Sequence, residues 1–181
     1  MKNPRHLELY LKSKEIKPSY MGNIKYRYFW DGQDYVIYID GSDEPKDWAF
    51  NFAFFGIFFH LGYFILARKF KKKVTAFNNI ILVGHSLGAG IASILAVIAK
   101  KHIKEVILFG SPCSYTKINP LYPKNITSYL IKTDVVGYSW VIAPFFRRPV
   151  KSILLEHSFD DHIKNHQREG YEKALKTYFQ A

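Results

Sequence analysis

A single cysteine, Cys113, is all that this chain carries. That excludes a disulfide framework and any Cys-based metal site, and it suits a reducing compartment. The amino-terminal Met1-Lys2-Asn3-Pro4-Arg5-His6 has no apolar stretch of the secretory kind. The expected location is therefore cytoplasmic, with peripheral membrane contact left open. Linkers rich in Gly, Ser or Pro are missing, as are internal repeats, and 181 residues suffice for a sizeable core. A single domain over residues 1–181 is expected. Acidic residues are scarce, 15 against 26 Lys and Arg, so the net charge is +11. Such a balance raises nucleic acid and anionic membranes as partners. The basic residues are scattered except in Arg68-Lys69-Phe70-Lys71-Lys72-Lys73, and no nucleic-acid module pattern accompanies that run. Nucleic acid is thus not the expected partner. The run also reads as a solvated helix end, where lysines favour the helix dipole.

Aromatic residues are plentiful, at 17%. Many lie between Trp48 and Leu66, a stretch nearly long enough to span a bilayer. Asn51, His60 and two glycines interrupt it. It reads instead as a helix of the core, a lid or a membrane-facing element.

The most informative segment is Gly84-His85-Ser86-Leu87-Gly88, a Gly-x-Ser-x-Gly pattern. Ile80-Ile81-Leu82-Val83 precedes it as a buried parallel strand would. The apolar run Ala89 to Ala99 follows it as a helix would. Strand, sharp turn and helix form the setting of a nucleophile elbow. The turn presents the serine hydroxyl at the carboxyl end of a sheet, and the helix N-terminus offers N–H groups to a developing oxyanion.

Elsewhere, Pro4 to Lys17 reads as a helix. Ile24–Trp30 and Gln33–Ile39 read as strands joined by the hairpin turn Asp31-Gly32. Further strands are expected at Glu105–Phe109, Ile126–Ile131 and Val150–Leu155, with a closing helix from His162 to Phe179. Alternating strands and helices in the second half argue an α/β protein with a mostly parallel sheet covered on both faces.

A serine hydroxyl needs a base within hydrogen-bond reach, and that base needs an orienting acid. After an elbow the acid comes next along the chain and the base last, each on a turn after a strand. Asp134 follows the strand Ile126–Ile131 and is the candidate acid. His157 follows Val150–Leu155 and is the candidate base. His162 is the alternative base. His166 is a further competitor, set within the expected last helix. His85, beside the nucleophile, reads as a packing or hydrogen-bonding residue.

These motifs together resemble the fungal-type, or class 3, lipases of the α/β-hydrolase superfamily, from about Tyr35 to His162. The elbow Gly84 to Gly90 is similar to that family's, and Val36-Ile37-Tyr38-Ile39-Asp40-Gly41-Ser42 to its strand ending in Arg-Gly-Thr/Ser. Asp47-Trp48-Ala49-Phe50-Asn51, His60-Leu61-Gly62-Tyr63, Phe109-Gly110-Ser111-Pro112, Asp134-Val135-Val136 and His157-Ser158-Phe159 resemble further family motifs, in family order. The resemblance implies a compact α/β-hydrolase fold with an N-terminal antiparallel hairpin. It implies Ser86 as nucleophile, Asp134 as acid and His157 as base, with Ser42 and the Leu87 N–H in the oxyanion hole. Asp40 stands where the family has Arg, which removes a positive charge near the hole. His162 stands where compact members often have Tyr.

The implied activity is hydrolysis of carboxylic esters of lipids, triacylglycerols or phospholipids, with neither metal nor organic cofactor. A soluble esterase or thioesterase, and a catalytically decayed membrane-binding scaffold, remain alternatives. The expected partners are a lipid or small ester and an anionic membrane surface. That surface would be met by the segment Tyr138 to Arg148, which mixes aromatics with Arg147 and Arg148.

Overall fold

Strand β4 (Ile80–His85) is buried along its whole length, because helices cover both sides of its sheet. The structure, a computed structural model, describes residues 2–22, 24–41, 61–120, 123, 125–138, 145–148, 150–156 and 158–180. Before β4 come α1 (Arg5–Glu15), β1 (Ser19–Met21), β2 (Ile24–Trp30), β3 (Tyr35–Ile39) and α2 (Leu61–Val74). After it come α3 (Leu87–Ile98), β5 (Ile103–Phe109), β6 (Tyr115–Thr116), β7 (Ile126–Ile131), β8 (Phe146–Arg147) and β9 (Ile153–Leu155). The last elements are α4 (His162–His166) and α5 (Arg168–Gln180).

The main sheet runs β1-β2-β3-β4-β5-β7-β9. From β3 to β9 neighbouring strands are parallel, while β1, β2 and β3 pair antiparallel at one edge. Short β6 and β8 pair separately. The strand period of two sorts the core. Ile37, Ile39, Ile80 and Leu82 face α2 and α3, while Val36, Tyr38, Ile81 and Val83 face α1 and α5. On α2 the buried residues are Tyr63, Ala67, Phe70 and Val74, spaced for one helical stripe. Each fully buried Ile or Leu contributes about 1.5–3 kcal/mol of apolar burial.

The expected mostly parallel sheet with helices on both faces is therefore what the chain forms. Several boundaries differ. The hairpin turn is longer than two residues, because the Asp31 carboxylate accepts from the N–H groups of Gln33 and Asp34 and the Asp31 N–H donates to the Asp34 carbonyl. Strand β9 is shorter than Val150–Leu155. The helix expected over His162–Phe179 is two helices, broken at Gln167, whose backbone is extended. Of the apolar stretch Trp48–Leu66, residues 48–60 lie outside the described residues. Its end, from Leu61, begins α2. Among the described residues no helix is long and apolar enough to cross a membrane.

Candidate active site

Ser86 holds φ 53° and ψ −121°, a conformation rare outside glycine, between the end of β4 and the start of α3. Such backbone costs of order 1–3 kcal/mol and persists only where its surroundings fix it. Here the Ser86 N–H donates to the Phe109 carbonyl at 3.0 Å, and the Ser86 carbonyl accepts from Ala89 and Gly90. Close approach explains the flanking glycines. A Cβ on Gly84 would stand 2.6 Å from the Gly88 carbonyl oxygen, and one on Gly88 would stand 2.1 Å from that of Ile39. The elbow read from the pattern is present.

The base is His166. Its Nε2 is 2.7 Å from Ser86 Oγ, and its Nδ1 is 2.8 and 2.9 Å from the two carboxylate oxygens of Asp134. All three side chains are buried. The Asp134 carboxylate pins the proton on Nδ1, so Nε2 is left to accept from the serine hydroxyl. Burial pushes the Asp134 carboxyl up, but hydrogen bonds from His166, from the Tyr171 hydroxyl at 2.6 Å and from the Val136 N–H hold it below its ordinary value.

The histidine beside Ser86 thus differs from the expected ones. His157 lies outside the described residues, and the place between Ser86 and Asp134 is filled by His166. His162 opens α4, is exposed, and turns its Nδ1 to the Thr133 carbonyl at 2.5 Å, away from Ser86. Four residues later, the last residue of α4 faces inward. Asp161 caps α4 by accepting from Ile163 and Lys164, and the chain then breaks at Gln167. A continuous helix through Phe179 hides that break from a sequence reading. The signal was Gly170 inside an otherwise helical pattern. A Cβ there would meet the backbone oxygens of Asn165 and Lys164 at 2.6 Å.

Asn165 was also missed. Fully buried, it accepts at Oδ1 from the N–H groups of Ser158 and Phe159, and donates through Nδ2 to Thr133 Oγ1 and the Phe159 carbonyl. It ties the turn before Asp134 to the helix that carries His166. His85 acts as expected of a hydrogen-bonding residue: its Nε2 donates to the His166 carbonyl at 2.8 Å, and its ring stacks on His166 at 5.3 Å. Burial, then the neighbouring His166, push its pKa down to about 3, so it is neutral and cannot relay a proton near neutral pH.

Leu87 opens α3, where first-turn N–H groups have no partner inside the helix. Ser42 lies outside the described residues, but its neighbour Gly41 abuts the elbow, since a Cβ there would be 2.8 Å from Ser86 Cβ. The positive charge that Asp40 displaces is restored from elsewhere. Arg27 of β2 and Arg168 of α5 both pair with the buried Asp40 carboxylate, and the Arg168 guanidinium lies 4.7 Å from the Tyr38 ring centroid.

Residues 139–144 of the segment Tyr138 to Arg148 lie outside the described residues. The arginines after them are turned inward. Arg147 donates to the Asn119 carbonyl, and Arg148 to the carbonyls of Ser111 and Val136. Phe146 is buried, while Phe145 is exposed. A groove of about 610 Å³ lined by Lys2, His6, Glu105 and Lys151, among others, lies at the amino ends of β5 and β7, away from Ser86. There His6 bonds Tyr129 and Glu105 while Ser128 bonds Ser152, so these residues form no serine–histidine–acid chain. Among the described residues no group of three or more His, Cys, Asp or Glu is placed to hold a metal ion.

Comparisons with known proteins bear on the fold and on the central segment. Residues 58–137 match the model of the class 3 lipase family. The chain is similar in structure to a triacylglycerol lipase of Penicillium expansum, at TM-score 0.58 and 12% identity, covering 85% of this chain and 78% of that one. It is similar to MDLA of Penicillium cyclopium, at TM-score 0.57 and 15% identity, covering 80% of this chain and 64% of that one. A third is MGS-MChE2, an α/β-hydrolase enzyme from the metagenome of lagoon sediments at Mar Chica, Morocco, at TM-score 0.51 and 14% identity, covering 91% and 98%. The chain thus spans under two thirds of the length of the Penicillium cyclopium protein. No curated protein sequence matches it. The fold is that of an α/β-hydrolase, and the class 3 lipase match covers residues 58–137, under half of the chain.

Proposed function

We propose that this class 3 lipase-like chain is a serine hydrolase that cleaves carboxylic ester bonds, with lipid esters as substrates. The observation that carries the reading is His166 bonded at once to Ser86 and Asp134. In the proposed reaction Nε2 of His166 takes the Ser86 proton as Oγ attacks the acyl carbonyl. The imidazolium that forms is held by the Asp134 carboxylate, itself fixed by Tyr171 and Val136. The proposed oxyanion donors are the Leu87 N–H and, as the family resemblance implies, Ser42. His166 then returns the proton to the leaving alcohol and activates the water that frees the acyl group.

Lipid esters are favoured by the family match and by the likeness in fold to the triacylglycerol lipase of Penicillium expansum. A soluble esterase is the second reading. It is favoured by Arg147 and Arg148, whose guanidiniums bond inward to backbone carbonyls instead of lying free for an anionic interface. Turnover of micellar against monomeric esters separates the two. A fluorophosphonate probe tests the hydrolase reading itself: it should label the wild-type protein and not Ser86→Ala. Equal labelling of both, or none of either, would overturn the reading.

A further inference from the structure

Tyr28, Trp30 and Tyr35 are 53, 52 and 41% exposed at the far end of the β2–β3 hairpin. Tyr26, on the same face of β2, is covered by Phe70 of α2. Helix α2 ends at Val74, and beyond it the chain lays Phe77 against Tyr28 and Tyr35, at 5.9 and 5.0 Å between ring centroids. Trp30 packs on Tyr35 at 5.0 Å. Four rings thus make one continuous apolar surface. Beside it stand two basic turns. Lys71, Lys72 and Lys73 are exposed at the end of α2, and Lys100 and Lys101 are exposed after α3. The second turn is fastened to the aromatic one, because His102 Nδ1 donates to the Phe77 carbonyl and Asn78 Oδ1. The acids of the hairpin, Asp31 and Asp34, offer little opposing charge: their side chains are buried and paired with Arg5 and Lys104.

We infer that this aromatic and lysine-rich pole docks on an anionic lipid membrane. Tyr and Trp rings settle where apolar and wet layers meet. Lysines beside them reach the headgroups, each strengthening binding to an anionic surface by about fivefold. The rings pack on one another, Trp30 at 62° to Tyr35, which suits a surface laid on a bilayer better than open ring faces waiting for nucleic-acid bases. The pole lies at the amino ends of the parallel strands, whereas Ser86 lies at their carboxyl ends. A protein docked this way holds its elbow away from the membrane that anchors it. The inference uses no residue of the Ser86 site and stands apart from the hydrolase reading.

Flotation of the full chain with vesicles tests it, comparing phosphatidylcholine alone with phosphatidylcholine and phosphatidylglycerol at roughly two parts to one. Binding to the mixed vesicles should be at least tenfold tighter and should fade with salt. The combined change Lys71→Glu, Lys72→Glu and Lys73→Glu should weaken it by at least tenfold. Trp30→Ser should weaken it by about fivefold or more, and Tyr28→Ser serves if that variant misfolds. Melting temperatures of the variants should stay near wild type. The inference is overturned by binding that ignores lipid charge, by patch variants that bind as wild type, by loss confined to Phe145→Ser, or by a wild-type chain that ignores vesicles and captures a single-stranded oligonucleotide through these lysines.

Discussion

His166 Nε2 stands 2.7 Å from Ser86 Oγ across a separation of 80 residues, and it does so because the chain breaks one residue later, at Gln167. The break lets α4 and α5 abut, with Gly170 pressed against the carbonyls of Lys164 and Asn165. Gly170→Ala should force these backbones apart. A stability loss of about 1–3 kcal/mol is expected from such overpacking, with ester hydrolysis falling further than stability accounts for. Urea unfolding and kcat on one soluble ester check this. An alanine variant with wild-type kcat would mean the junction does not set the position of His166.

Tyr171 donates to Asp134 Oδ2 and accepts from the Ile131 N–H. Tyr171→Phe removes one of the bonds that keep the Asp134 carboxyl low. A depressed carboxyl contributes stability above its unfolded pKa that is lost as pH falls through its folded pKa. With the folded pKa raised, acid inactivation of the variant should set in at higher pH than in wild type. At neutral pH kcat should fall by about tenfold, the scale of one charge-assisted hydrogen bond, with KM little changed. An unmoved acid limb would show that Tyr171 only packs.

Asn165→Ala should leave the N–H groups of Ser158 and Phe159 and the Thr133 hydroxyl without their partner. A fully buried group so orphaned costs about 1–3 kcal/mol, and these part-buried ones stand at the low end. Denaturant unfolding should therefore show a loss on the order of 3 kcal/mol. Asn165→Asp, which keeps the acceptor for the two N–H groups, should recover part of it. A loss below about 0.5 kcal/mol would place Asn165 outside the support of the site.

His85, neutral in the fold with a pKa near 3, titrates at its ordinary value of 6.5 when unfolded. Between those values the unfolded chain binds the extra proton. Stability therefore falls as pH drops from 6.5 toward 3, at up to about 1.4 kcal/mol per pH unit. His85→Gln keeps an amide donor able to reach the His166 carbonyl and removes the titration. Its stability should fall less steeply over that window. Parallel slopes in the two proteins would contradict a buried neutral His85.

The elbow was legible because local chemistry alone shapes it: a buried strand, glycines where backbone crowds, and a helix. Asp134 was legible because its strand is long and regular. The base was not. β9 spans only Ile153–Leu155, so the usual cue of a histidine directly after a strand pointed to His157. The helical pattern of residues 162–179 also conceals a turn set by tertiary contacts. Asn165 holds that turn from inside, and Gly170 lets the two helices meet. Asp40 likewise looked like a lost charge, because Arg27 and Arg168, far from it in sequence, reach it only in the fold.

The most direct measurement of the account is kcat for a soluble p-nitrophenyl ester in His166→Ala, beside His157→Ala and His162→Ala. A triad acts as a unit, so loss of the base should cost about 10⁴-fold or more. The account predicts that loss for His166→Ala, with the fold retained, and less than about tenfold for the other two. Wild-type turnover in a folded His166→Ala protein, or a collapse on His157→Ala instead, would contradict it.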